Sequence, residues 1–339
     1  MPQLRWFSRI TLDVVAMKVL PPIVSLLVAA ALLGAAATPL HADEPKEIEP
    51  FTLRPVQFLQ AWMYEGPIRE PEALAVDQKT GEVWIADPRN NVVGAFSAEG
   101  MPLFAFSSDK YLRNPRQLAV DDRGRLLVLE QDRTRIRQFN YRGVYLGDLV
   151  PPNLGEKPQI AAIAFGPDGS LYVGDNASGE ILIYSYPALR LKKRFGSRGE
   201  EEGQFRSIAG IAVDEQYIYI VDHVGLAVQL FDHRGDFVRG WGQHAMGGAN
   251  FSLPRGIAVD AKGRVIVVDG LRHDLKYFNA DGLLIGHFGG AGRAPGNTLA
   301  PSAVAVGPGG RVYVAERGNA RVQVFVEEAL PAKPVPARR

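Results

Sequence analysis

Cysteine is absent from this 339-residue sequence. Its absence excludes a disulfide, a thiolate nucleophile, a cysteine-ligated zinc and a lipid carried on cysteine. Net charge is nearly absent as well, because 38 Lys and Arg face 37 Asp and Glu. Such a balance gives no global attraction to nucleic acid or to an anionic membrane, so any electrostatic recognition must be local. Short catalytic signatures are missing too: the chain contains no Gly-x-Ser-x-Gly elbow, no His-Glu-x-x-His pair and no EF-hand loop. The glycine-rich stretch from Gly286 to Gly296 leads into a strand pattern and not a helix. It therefore lacks the helix N-terminus that cradles phosphate and reads as a loop.

One long apolar run is present. Val19 to Ala37 is rich in Leu, Val and Ala, and is followed by Thr38, Pro39, Leu40, His41 and Ala42 and then by Asp43 and Glu44. This is the build of a secretory signal peptide, expected to occupy residues 1–42 with cleavage after Ala42. Met17 and Lys18 immediately precede the apolar core, which makes Met17 an alternative start. An uncleaved anchor is the competing reading, since the run is just long enough to cross a bilayer. Either way the folded part is expected outside the cytoplasm, in the periplasm or secreted. Residues 43–50 then form a short linker, and the Pro-rich end, 329–339, a disordered tail.

Between these ends a single pattern recurs six times. Leu74-Ala75-Val76-Asp77, Leu118-Ala119-Val120-Asp121, Ile163-Ala164-Phe165-Gly166, Ile211-Ala212-Val213-Asp214, Ile257-Ala258-Val259-Asp260 and Val304-Ala305-Val306-Gly307 follow one another at intervals of 44 to 48 residues. Each unit reads as four short strands separated by Gly and Asp turns. In the fifth, Lys262-Gly263 and Asp281-Gly282 supply residues that tolerate positive φ at hairpins. A period in the mid-forties with four strands per unit predicts an all-β, six-bladed propeller of four-stranded antiparallel blades over residues 51–328. The small, apolar first strand of each unit suits the crowded centre.

The two ends of the repeat region predict how the ring closes. After Arg321 to Val326 the chain enters Pro331-Ala332-Lys333-Pro334, which cannot continue a ladder because proline has no N–H to donate. The sixth blade thus lacks an outer strand of its own. Upstream, Val56 to Trp62 matches the fourth strand of blade four, with Phe58 aligned to Phe237 and Trp62 to Trp241. The N-terminal strand is expected to complete the last blade.

The run Pro254-Arg255-Gly256-Ile257-Ala258-Val259-Asp260, with Val267-Val268-Asp269 after it and Arg321-Val322-Gln323-Val324-Phe325 in the last unit, resembles the NHL repeat. The resemblance covers roughly residues 51 to 326 in six copies. It implies a propeller that offers one face to partners. It also raises an enzyme alternative, because NHL-like propellers include peptidylglycine amidating lyases with a histidine-held metal, and related folds include calcium-dependent lactonases.

Strand order assigns residues to faces. If the first strand of each blade descends along the central channel, its start, the loop between second and third strands and the loop between blades all share the upper face. That face collects Glu72, Arg89, Arg116, Arg133, Arg255, Arg272 and Arg317 together with His223, His244 and His273. Its basic character points to an acidic or carboxylate-bearing ligand. Bonding of the arginines to a recurrent acid at the end of each second strand (Asp87, Glu130, Asp175, Asp222, Asp269, Glu316) is the plainer reading. That acid is expected to be structural, accepting turn N–H bonds. Arg116 and Arg255 are placed at the channel mouth. The histidines could bind zinc or act as acid and base, although their spacing matches no known ligand motif. The leading expectation is a monomeric, non-catalytic binding or scaffolding module without cofactor, recognising a protein, peptide or envelope glycan. A metal-dependent lyase or hydrolase using zinc or calcium is the alternative. RNA is not expected as a partner, since export conflicts with it, and membrane contact is expected only through an uncleaved anchor.

Overall fold

The computed structural model describes residues 49–331. The expected signal segment and the end of the Pro-rich tail lie outside them. Strand β1 (Phe51–Leu59) precedes blade one, which comprises β2 (Ala73–Val76), β3 (Val83–Asp87), β4 (Val92–Phe96) and β5 (Pro102–Ser107). Blade two is β6 (Pro115–Val120), β7 (Leu126–Glu130), β8 (Ile136–Phe139) and β9 (Tyr145–Leu149). Blade three is β10 (Ile160–Phe165), β11 (Leu171–Asp175), β12 (Glu180–Ser185) and β13 (Arg190–Phe195). Blade four is β14 (Ile208–Val213), β15 (Tyr217–Asp222), β16 (Val228–Asp232) and β17 (Phe237–Trp241). Blade five is β18 (Pro254–Val259), β19 (Val265–Asp269), β20 (Asp274–Phe278) and β21 (Leu284–Gly289). The chain's last strands, β22 (Pro301–Val306), β23 (Val312–Glu316) and β24 (Arg321–Ala329), form blade six with β1 as its fourth strand.

All six sheets are four-stranded and antiparallel, five of them as meanders of consecutive strands, and the innermost strands of successive blades touch around the full ring, β2 meeting both β6 and β22. The core is divided into six clusters, each formed where two blades face one another. Between blades one and two, for example, Ala73, Trp84, Val93 and Phe106 pack on Leu118, Leu126, Val128 and Phe139. Second strands are covered on both sides by neighbouring blades, which is why β3, β7, β11, β19 and β23 are buried at every position. This double coverage explains their near-continuous apolar sequence. The inner strands approach so closely that a Cβ at Gly256 would stand 2.7 Å from the Ala303 Cα of the next blade.

Turn chemistry follows the sequence pattern. Asp260 Oδ1 accepts the N–H groups of Lys262 and Arg264, each at 2.9 Å, while Gly263 adopts φ +72°. The recurrent acid at the end of each second strand accepts N–H bonds from the segment entering its own blade. Asp87 accepts from Arg69 at 2.8 Å and Asp269 from Ser252 at 2.6 Å. A buried carboxylate thus ties each inter-blade loop to the blade it precedes.

Closure occurs between β1 and β24, from Phe51 opposite Ala329 to Leu59 opposite Val322. The register differs by three residues from the expected one. Leu59, not Trp62, lies opposite Val322, where Trp241 lies opposite Val228 in blade four. Likewise Pro55 faces Phe325 as Phe237 faces Phe231, so Phe58 is not the counterpart of Phe237. Trp62 falls beyond the strand. Its ring nonetheless reaches Phe96 of blade one at 5.5 Å, just as Trp241 reaches Phe278 of blade five at 5.8 Å. The two tryptophans share a packing target on the next blade and not a ladder position.

Candidate functional site at the channel mouth

A cavity of about 1440 Å³ follows the axis and is lined by the innermost strands of all six blades. Two rings of side chains surround its upper opening. The first is the residue at or near the start of each innermost strand: Glu72, Arg116, Ala161, Ala209, Arg255 and Ser302. The second immediately follows each recurrent acid, and places Gln131, Asn176 and His223 in the lining.

Glu72 is the centre of the first ring. Its Oε1 lies 3.7 Å from Nη1 of Arg116 on blade two and 3.7 Å from Nη1 of Arg255 on blade five. Arg317 of blade six places its Nε 3.1 Å from Glu72 Oε2 and pairs through Nη2 with Glu70. Contact between blades one and five is possible because blade six places the small Ser302 in this ring, its hydroxyl donating to the Pro71 carbonyl at 2.7 Å. The Arg255 side chain passes over Gly270, where a Cβ would lie 2.9 Å from its Nε. Burial lowers the pKa of Arg255, Glu72 opposes that shift, and Arg317 and Arg116 add to it. The guanidinium therefore has more positive neighbours than its one carboxylate balances.

His223 stands beside this cluster. Its Nδ1 is 3.4 Å from Ser207 Oγ, and its Nε2 is buried with no hydrogen-bond partner. Burial pushes its pKa down to about 4, with Arg255, His244 and Arg133 contributing. The imidazole is thus neutral at physiological pH.

The remaining basic and imidazole residues are divided. Arg133 lines the cavity, and its carbonyl accepts the Ile160 N–H at 2.8 Å. Arg89 is exposed and lies outside the lining. Arg272 is committed to the loop between blades four and five, donating to Gly247 O at 2.6 Å, to Ser252 Oγ at 3.0 Å and to Ala245 O. His273 holds the following loop: its Nδ1 accepts the Ala300 N–H at 2.9 Å and its carbonyl accepts Thr298 Oγ1 at 2.6 Å. His244 sits in the 242–251 loop, outside the lining but close enough to act on His223. Among the described residues, no group of three His, Cys, Asp or Glu side chains converges as metal ligands do. Gln131 and Asn176 escaped a reading that looked for charge and imidazole. Their signal is the repeat itself, the position after the acid in each unit.

Fold and mouth together define a six-bladed β-propeller with a charged channel opening. The family model described as NHL repeat matches residues 298–325, within blade six. Human NHL repeat-containing protein 3 is 27% identical over 172 residues, and the mouse protein 30% over 173; each alignment covers 47% of this chain and 49% of the relative. The chain thus matches about half the length of these relatives. Among solved structures, a streptogramin B lyase aligns with TM-score 0.59 at 13% identity, covering 82% of this chain and 98% of that one. A gluconolactonase from Xanthomonas campestris aligns with TM-score 0.58 at 14% identity, covering 84% and 99%. At these identities the structural likeness concerns the fold alone.

Proposed function

We propose that the protein is an exported, non-catalytic binding module that recognises an acidic protein, peptide or envelope glycan at the upper channel mouth. One observation carries the reading. Arg116, Arg255 and Arg317 gather around Glu72, and Arg255 is held partly buried among like charges. An incoming carboxylate would satisfy guanidinium donors that Glu72, at 3.7 Å, does not hydrogen-bond. The chain is similar to NHL repeat-containing proteins, and it is the resemblance to that repeat that implies a face offered to partners. The test is an array of acidic peptides and uronate-bearing glycans, probed with the wild type and with the Arg116→Ala/Arg255→Ala double variant. At least one ligand is expected to bind in a salt-sensitive manner and to weaken about tenfold or more in the variant. Binding unaffected by the double substitution would remove the mouth from consideration.

A lyase or hydrolase is the second reading, favoured by the neutral His223 with its unpartnered Nε2 next to Arg255. Among the described residues the mouth offers this one imidazole and no converging ligand set, and those residues do not fit a zinc or calcium centre. Elemental analysis of the purified protein, repeated on His223→Ala, separates the readings. Near-stoichiometric metal lost in the variant would favour the enzyme.

A further inference from the structure

The cavity that opens between the arginines continues along the axis. Its lining runs from Arg116 and Arg255 at the start of β6 and β18 to Asp121 and Asp260 just past their ends. The two ends differ in charge. In the upper lining Arg116, Arg133 and Arg255 face only Glu72. In the lower lining Asp77, Asp121, Asp122, Asp168, Glu215 and Asp260 outnumber Lys79, Arg123 and Arg125. Some of these acids are committed: Asp121 pairs with Arg125 at 2.6 Å, Asp168 with Lys192 at 2.9 Å and Asp260 with Arg264 at 2.6 Å. Asp122 and Glu215 are exposed at the rim; the Asp122 carboxylate lies 3.8 Å from Lys79 Nζ, which donates instead to the Asp122 carbonyl at 2.6 Å.

The wall between the two ends is also distinctive. Every innermost strand stands at the end of its sheet. Each therefore turns one ladder edge of N–H and C=O groups toward the axis, some of them met by side chains of the neighbouring blade, as Ile208 is by Asn176 and Val306 by Gln78. An acyl chain placed there would strip those groups of water without replacing the lost hydrogen bonds. A peptide backbone carries the matching donors and acceptors.

We propose that the channel takes a short linear peptide with both termini free, its carboxylate at the arginine mouth and its ammonium toward the acidic lower end. The inference rests on the mouth being an anion site. It adds the ligand's class, direction and length. Most innermost strands are six residues long. At about 3.3 Å per residue they span about 20 Å, the reach of an extended peptide of five or six residues. The opposite charges of the two ends fix its direction.

The experiment is calorimetric titration of mixed-sequence peptide pools, three to eight residues long, each prepared free, N-acetylated and C-amidated. Affinity is expected to peak at five or six residues, and either cap is expected to weaken binding about tenfold. In Arg116→Ala/Arg255→Ala, amidation should have no further effect. In Asp122→Asn/Glu215→Gln, which alters only exposed rim acids, acetylation should have none. Equal binding of acetylated and free peptides would overturn the proposal. If a uronate trisaccharide bound in an arginine-dependent manner while the peptide pools did not, the anion mouth would stand and the peptide inference would fail. Absence of any arginine-dependent binding would remove both.

Discussion

His223 should impose a pH dependence on stability that its replacement removes. Its folded pKa of about 4 lies well below the ordinary value of 6.5. The unfolded chain takes up a proton as pH falls below 6.5, while the folded chain resists until about 4. Stability is therefore intact above the unfolded value and is lost progressively on the way down to the folded one. At about 1.4 kcal/mol per pKa unit, the shift corresponds to about 3 kcal/mol of stability lost by the wild type across that window. His223→Gln retains a polar side chain near Ser207 Oγ and cannot titrate. The buried acids Asp222 and Glu316, whose pKa values are raised by burial, titrate in both proteins and cancel in the difference. Urea unfolding at several pH values between neutrality and about pH 4.5 would show the wild type losing most of this amount relative to the variant. Parallel curves would refute the reasoning, since they would mean that the imidazole charges freely beside Arg255, Arg133 and His244. An anionic ligand in the mouth should shrink the effect by favouring the charged ring.

Deleting residues 49–59 removes the buried Phe51, Leu53 and Leu59 and leaves the outer edge of β24 unpaired, with β23 as its one remaining neighbour. The loss is expected to exceed about 5 kcal/mol and to promote aggregation through the free edge. A cooperative thermal melt near the wild-type temperature would show that the ring does not depend on its clasp. Gly256→Ala should cost about 2 kcal/mol or more, because the added methyl meets the backbone of Ala303 and Val304 on the next blade. Gly263→Ala meets no atom within 4 Å and should cost about 1 kcal/mol, from positive φ alone. Denaturant curves that reversed this order would contradict the close approach of the inner strands.

The architecture was legible because each blade must meet the same packing demands, so the small inner strand, the buried second strand and the terminal acid recur in every unit. Closure by the N-terminal strand was legible too, from the prolines after Val326 and the strand pattern before Ala61. Its register was not. Phe58 and Trp62 look like Phe237 and Trp241, but the likeness reflects where Trp62 packs, on Phe96, while the ladder positions of Phe237 and Trp241 are taken by Pro55 and Leu59. Repeat position alone placed Arg116 and Arg255 among the lining residues. Their common partner was invisible, because a carboxylate on blade one reaches blade five only when the ring is closed and blade six offers a serine. Arg272 and His273 resembled mouth residues by strand order. Local loop geometry instead turns them toward the carbonyls and amides of the inter-blade loops.

The clasp between β1 and β24 also gives the propeller an orientation. Phe51 and Ala329 are paired at the lower face, because β1 rises toward the upper face while β24 descends from it. Anything that holds the domain by either end holds it from below, with the arginine mouth directed away across a thickness of about 20 Å. Tension applied to both ends together would part the β1–β24 ladder one pair at a time, starting at Phe51 and Ala329. The blade that completes the ring is thus also where force would open it.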